Sequence, residues 1–590
     1  MLDLKITGGT VVDGTGAERY RADIGVKDGR IVEVRRRNGA DGAGDGLQAD
    51  AAHEIDATGR IVAPGFVDIH THYDGQVSWD DTLEPSSLHG VTTVVSGNCG
   101  VGFAPVRPGR EQWLIELMEG VEDIPGSALA EGITWQWESF PEYLDAVEKR
   151  SLAVDYGTQI AHGAVRGYAM GERGARNEEA TPDDIAAMAR IVQEAVEAGA
   201  LGFSTSRTEA HRAIDGEPVP GTYAAEAELF GLGRAMAAGG RAVFEVSPQG
   251  TAGESPAEAT MREMDWMTQL GAEIERPVTF TMIQTGGAPD LWRRQLERAG
   301  KALENGVELY AQFAARPFGM LFGFPGYHAF THRPTYRRLK AELGHEELAA
   351  RLADPSVRET ILSEVDLPPQ PVPLFDGLYA LIQHSADRIF AIGDPPDYEP
   401  TPDQTVAAIA QARGQDPLAA TYDLMLESDG TAMLMLPFFN YADGNHDAIH
   451  EMMTHPAAVS GLSDGGAHCG LICDASYPTF LLTHWARDRH RGPRFSLEYV
   501  VRKQTLDTAT LYGLSDRGVL AVGKKADINV IDMQALQLDV PRMAYDLPAG
   551  GRRLVQGTRG YDATVVSGVI TRRHGVDTGA RTGRLLRGVR

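Results

Sequence analysis

Short apolar runs rich in β-branched residues recur eight times between residues 61 and 463, and helix-length stretches separate most of them. The runs span 61–69, 91–95, 157–161, 200–204, 241–246, 278–282, 307–313 and 458–463. Strands apolar throughout are those buried on both faces, which is the condition of a parallel sheet covered by helices. Parallel neighbours need a crossover, usually a helix, and the sequence supplies one. Thr181 reads as an N-cap, Asp183 and Asp184 fill the first turn, and Gly199 follows the end of a helix over 182–198. Eight strands in this alternation predict an α/β chain folded as a (β/α)8 TIM-like barrel.

The barrel is expected over 61–515. Short strands with turn residues between them fill 1–60 and return in 516–590, which predicts one small β-sandwich domain built from both termini. Between 320 and 455 the alternation fails, and a helix-rich insertion with Pro-rich breaks at 367–373 and 394–400 is expected to cap the carboxyl face. The Gly-rich stretch 39–46 reads as a flexible surface loop. The Arg- and Gly-rich residues 578–590 read as mobile or docked on a neighbour.

The net charge of −27 repels nucleic acid and anionic lipid, so neither is expected as a partner. No 18-residue apolar run is present, and the start lacks a basic segment leading into an apolar one, so neither a membrane span nor an export signal is expected. Three cysteines, an odd and small number, fit a reducing cytoplasm. A small molecule is the expected partner, and self-association is compatible with a capped barrel.

Barrel enzymes carry their reactive groups at the carboxyl ends of the strands. Strand one offers His70 and His72, which leave the strand on one side because they are two residues apart. Strand two ends near Cys99, strand three at His162, strand five carries Glu245, and Asp464 and His468 follow strand eight. Histidine, thiolate and carboxylate converging on one mouth make a metal site. For His162 and His468, contact with substrate competes with an ordinary hydrogen-bonded core role. His211 and His328 read as loop surface and His384, His446 and His450 as solvated, while Cys469 and Cys473 read as small packed residues.

The stretch Gly65-Phe-Val-Asp-Ile-His-Thr-His72, with Asp464 after strand eight, resembles the amidohydrolase superfamily. The segments 90–105, 200–206 and 516–527 resemble its N-acyl-D-amino-acid deacylase (D-aminoacylase) branch. The resemblance implies a hydrolase of non-peptide amide bonds. Zinc, or manganese in its place, is the implied metal, as one or two ions. It acts on water that attacks the carbonyl carbon, and Asp464 serves as general acid and base. It also implies His70, His72 and Asp464 as metal ligands and Cys99 as a thiolate ligand.

The chain departs from that branch where a histidine is expected on each of strands five and six. Glu245 and Met282 stand there. Glu245 can still bind a divalent metal, whereas a neutral thioether is a poor zinc ligand. Three arrangements stay open: one metal on His70, His72, Glu245 and Asp464; a metal on Cys99 and Glu245 beside the histidines; or a site that has lost tight metal binding. The branch's basic residue after strand six is also replaced, by Gln284 or a neighbour. A substrate carboxylate would then need Arg207 or Arg316, each of which could equally be part of a structural ion pair. A cyclic amide, such as a diketopiperazine or an imide, is the alternative substrate. A non-catalytic barrel is the third class.

Overall fold

In the computed structural model, the described residues are 1–37, 46–368, 379 and 381–588. A nine-stranded sheet is assembled from both ends of the chain. Leu2–Val11 pairs with Tyr20–Lys27, Ala51–Asp56 and Ile61–Pro64, and Ile61–Pro64 pairs antiparallel with Ile528–Ile531. Tyr561–Val566 and Val569–Arg573 extend it from the other end. Its core is aliphatic: Leu4, Ile6, Val11, Ile24, Val62, Ile528, Val530 and Val565.

Residues 61–69 are therefore not one strand, as their continuous hydrophobicity suggests. Ile61–Pro64 belongs to the terminal sheet and Phe66–Asp68 to the parallel series. Gly65 is the crossing point, because a Cβ there would lie 2.2 Å from Thr92 Oγ1. Only a residue without a side chain lets the chain pass strand two this closely.

All eight expected strands of the parallel series are present. They are strand one (Phe66–Asp68), strand two (Val91–Ser96), strand three (Asp155–Thr158, continued by Ile160–Ala161), strand four (Gly202–Ser206), strand five (Val243–Ser247), strand six (Val278–Thr281), strand seven (Leu309–Phe313) and strand eight (Ala458–Ser460). Each pairs in parallel with the next. The ladders fall into a three-stranded and a six-stranded sheet rather than one unbroken ring. Beyond their ends, strands eight and one are linked by a parallel bridge between Thr71 and Gly465 and by the Asp464 N–H donating to His70 O at 3.1 Å. Helices cover the outside. In Pro182–Ala198 the Thr181 hydroxyl accepts the Asp184 N–H, the Asp184 carboxylate accepts the Thr181 N–H, and Gly199 closes the end with φ 118°.

The insertion is not only helical. Phe318–Phe322, Phe390–Ala391 and Leu434–Phe439 form an antiparallel sheet over a separate core that includes Phe322, Phe324, Tyr336, Tyr422 and Leu436. The pairing Phe318↔Phe439 joins segments too distant in sequence for local patterning to reveal. His328, expected at a loop surface, is buried in this core, and His446, expected in solvent, is buried against Tyr398 and His484. The break at 367–373 lies mostly outside the described residues, as does the loop expected over 39–46.

The C-terminal residues do not wait for a neighbouring molecule. Gly583 N–H donates to Leu152 O, Tyr156 N–H to Arg584 O, and Gly588 N–H to Gly199 O, so the described tail to residue 588 lies along strand three of its own chain. Among the described residues, no helix is long and apolar enough to cross a membrane.

One buried ion pair gives the terminal sheet an acid-sensitive hold. Burial alone would raise the Asp23 carboxyl, but hydrogen bonds from Arg37, Gly8 N–H and Leu47 N–H outweigh it and hold the pKa below the usual range. A depressed carboxylate contributes stability above its unfolded pKa, about 3.9, and loses it as pH falls through the lower folded value. Asp23→Asn is expected to cost about 1–3 kcal/mol at pH 7. Its Tm deficit relative to wild type should shrink below about pH 4. A deficit constant from pH 7 to pH 3 would show that the charge contributes nothing.

Candidate metal and catalytic site

Strand one delivers His70 and His72 to the carboxyl end of the series, both buried, with ring centroids 5.5 Å apart. Thr71 between them points away, and its hydroxyl meets Val95 O and Ser96 Oγ on strand two. His70 Nδ1 lies 2.8 Å from Gln312 Oε1 on strand seven. A carboxamide oxygen can only accept, so the hydrogen sits on Nδ1 and Nε2 keeps its lone pair for the site.

Cys99 sits in the turn after strand two with φ 57°. The turn is pressed onto strand three: at Gly97, φ 78°, a Cβ would lie 2.2 Å from Gln159 O. Asn98 braces it by donating to Thr71 O and Val95 O. The Cys99 N–H donates to Glu245 Oε2 at 3.0 Å, and its Sγ is 3.4 Å from His70 Nε2. Asp464, at φ 49°, brings Oδ1 to 3.4 Å from His70 Nε2 and 3.7 Å from His72 Nε2, and Oδ2 to 3.8 Å from His468 Nε2. Left-handed backbone at a residue other than glycine costs on the order of 1–3 kcal/mol and persists only where its surroundings impose it, commonly at working sites.

The five residues expected to hold metal, His70, His72, Cys99, Glu245 and Asp464, thus come from strands one, two, five and eight into one cluster, in which all but Asp464 are buried. His70, His72 and Cys99 offer donor atoms all within 4.8 Å of one another. Two donors on one tetrahedral zinc stand about 3.4–3.5 Å apart, given the usual bond lengths. The contacts of Cys99 Sγ and Asp464 Oδ1 with His70 Nε2 match that spacing. Both ring nitrogens of His72 and Glu245 Oε1 are buried without a hydrogen-bond partner. Such atoms are costly unless something else binds them. Burial pushes the Glu245 carboxyl up to about 8, with the Asp464 charge adding to it and the Cys99 N–H opposing it. It pushes the Cys99 thiol well up, with Glu245 adding to it. Burial also lowers His70 to about 4 and His72 to about 3, which leaves both imidazoles neutral and able to ligate. The donor set fits a divalent metal. Met282, which stands where the branch carries its strand-six histidine, is buried in the main apolar core.

The residues expected at the substrate behave differently. His162 is buried, with Nδ1 on Thr205 Oγ1 and Nε2 on Glu228, which also binds Arg166. Arg207 donates to Glu263 and to Ala224 O, and Arg316 to Asp474 and to Cys473 O under the ring of Tyr398. These are the contacts of structural ion pairs, and the structure does not bring either guanidinium to the His70–His72 pair. His468 does reach the cluster, and its side chain is 25% exposed, so a molecule entering the site can touch it. Two residues of the site carry no sequence signal. Gln312 sits inside an apolar strand, and Glu122 ends a helix in a segment with several other acidic residues. His211, expected on a loop surface, is half-buried and hydrogen-bonded to Ser206, and burial lowers it to about 4.

Imidazoles, a thiol and carboxylates gathered at the carboxyl ends of parallel strands define a metal-dependent hydrolase. The comparisons agree. The model of the amidohydrolase family matches residues 53–572. D-aminoacylase of Alcaligenes xylosoxydans xylosoxydans is 27% identical over 531 residues, 90% of this chain and 88% of that one. The N-acyl-D-glutamate deacylase of the same organism is 35% identical over 242 residues, 40% of this chain and 42% of that one. The crystal structure of N-acyl-D-glutamate deacylase from Bordetella bronchiseptica, complexed with zinc and a phosphonate mimic of the tetrahedral intermediate, superposes with a TM-score of 0.63 at 25% identity, covering 100% of both chains. The chain belongs to the amidohydrolase family. It is a hydrolase of carbon–nitrogen bonds other than peptide bonds.

Proposed function

We propose that the chain is a deacylase of N-acyl-D-amino acids, with Asp464 as its general acid and base. The carrying observation is the convergence of donor atoms of His70, His72 and Cys99 within 4.8 Å of one another, with Asp464 Oδ1 at 3.4 and 3.7 Å from Nε2 of the two imidazoles. On this reading the eight strands, from Phe66 onward, form the wall of a (β/α)8 barrel that runs to 515, beside a β-sandwich from 1–64 and 516–590. One or two divalent ions, zinc by donor type, would be held by His70, His72 and Asp464 together with Cys99 and Glu245; when bound, the metal would acidify water and polarise a carbonyl oxygen. Asp464 takes the proton from the attacking water and returns it to the leaving nitrogen. His468 meets the substrate at the open side, and Gln312 keeps His70 in the ligating tautomer. The unpaired thiols Cys99, Cys469 and Cys473 are compatible with a reducing cytoplasm.

One observation favours a second reading, a cyclic amide substrate. Both arginines offered by the sequence as carboxylate clamps are tied into ion pairs with Glu263 and Asp474. Measuring kcat/KM on N-acyl-D-amino acids, their L-enantiomers, cyclic dipeptides and cyclic imides separates the two. A clear preference for the D-acyl substrates is expected. Turnover of cyclic amides alone would replace the first reading with the second.

A further inference from the structure

The helix Glu111–Glu122 ends at the mouth of the parallel series on two acidic residues that no motif marks. Glu122 is buried, with Oε1 3.4 Å from His72 Nδ1 and Oε2 3.6 Å from His468 Nε2. Its carbonyl accepts the His468 N–H. The next residue, Asp123, has φ 51° and accepts the Gly470 N–H at 2.8 Å. One dipeptide therefore holds both sides of the site: His72 after strand one, and the 468–470 turn that follows Asp464 after strand eight. The turn needs such a hold, since Asp464 and His468 are both left-handed, at φ 49° and 51°.

At His72 the arrangement has a chemical consequence. Neither of its buried ring nitrogens has a hydrogen-bond partner, and neither does Glu122 Oε1. Without metal, burial and then the Asp464 charge push the Glu122 carboxyl up; a divalent cation held by the adjacent imidazoles would favour its ionised form, and a carboxylate oxygen beside Nδ1 draws the ring hydrogen to that nitrogen. The lone pair is then left on Nε2, the nitrogen that faces Asp464 Oδ1. Metal-binding histidines regularly depend on such a partner at their other nitrogen. Gln312 supplies it for His70, and nothing but Glu122 is positioned to supply it for His72 among the described residues.

We infer that Glu122 is a positioning residue of the metal site, selecting the ligating tautomer of His72 with one oxygen and holding His468 at the entrance with the other. The inference rests on the metal-site reading above. The test compares wild type, Glu122→Gln and Glu122→Asp for zinc affinity by chelator competition and for the visible spectrum of the cobalt(II)-loaded protein. Glu122→Gln keeps the shape and removes the charge, and it is expected to bind zinc about 10–100-fold more weakly with a shifted cobalt spectrum. Glu122→Asp keeps the charge at a shorter reach and should fall between that variant and wild type. It also decides the matter by itself if Glu122→Gln fails to fold. A purely structural role would lower Tm and leave both metal readouts at wild-type values, and that result overturns the inference. A wild-type chain that takes up no metal overturns the metal-site reading as well, so the two failures are distinguishable.

Discussion

Asp464→Asn is expected to lower kcat by about 10²–10⁴-fold, the usual contribution of a positioned acid–base group, while the protein keeps its metal and its fold. The carboxamide is nearly isosteric, and its oxygen can still stand where Oδ1 now stands, beside His70 Nε2 and His72 Nε2. It cannot accept a proton from water or deliver one to a leaving nitrogen. The backbone hold is untouched, because the Asp464 N–H donates to His70 O whatever the side chain. Single-turnover rates with metal content measured on the same sample decide the matter. A metal-replete variant with wild-type kcat would remove Asp464 from the proton-transfer role. Loss of metal in parallel with activity would make it chiefly a ligand.

Removing the metal is expected to abolish turnover and to destabilise the protein, by about 2.7 kcal/mol for a metal present at a hundred times its Kd. The effect should depend on pH with a definite sign. Without metal, burial holds the Glu245 carboxyl at about 8. A carboxyl raised on folding favours the folded state while it is protonated, and that contribution fades as pH rises from the unfolded value toward 8. Metal needs the same group deprotonated, and the Cys99 thiolate as well, so its apparent affinity rises over the same window. The Tm gained on adding zinc to the stripped protein should therefore be larger at pH 8.5 than at pH 6.5. His70→Ala, which removes a donor 3.4 Å from both Cys99 Sγ and Asp464 Oδ1, should abolish that gain. Calorimetry at the two pH values, with and without zinc, tests both statements. An equal gain in wild type and His70→Ala would place the stabilising ion elsewhere.

The parallel series was readable because it is written locally. A strand buried on both faces must be apolar throughout, and all eight such runs became strands. Position at or just past a strand's carboxyl end then pointed to His70, His72, Cys99, Glu245 and Asp464, and for the His70–His72 pair the two-residue spacing also gave the shared direction. Helix ends were legible for the same reason: Thr181 and Gly199 act within one turn of their own residues.

What the sequence by itself determined is thus the alternation, the imidazoles, thiol and carboxylates at the strand ends, and the family pattern they make. What only the tertiary structure decided are the partners. Gln312 meets His70 across 242 residues and Glu245 meets Cys99 across 146. Glu122 resembles any other acidic residue until the strand-eight loop folds against it. Arg207 and Arg316 could each have met a substrate, but Glu263 and Asp474 stand beside them. The split at Gly65 depends on Thr92, a neighbour in space on the next strand. Periodicity reports which way a side chain points. What it points at is set when distant segments pack, because burial makes each polar group find its partner among whatever packing has brought near.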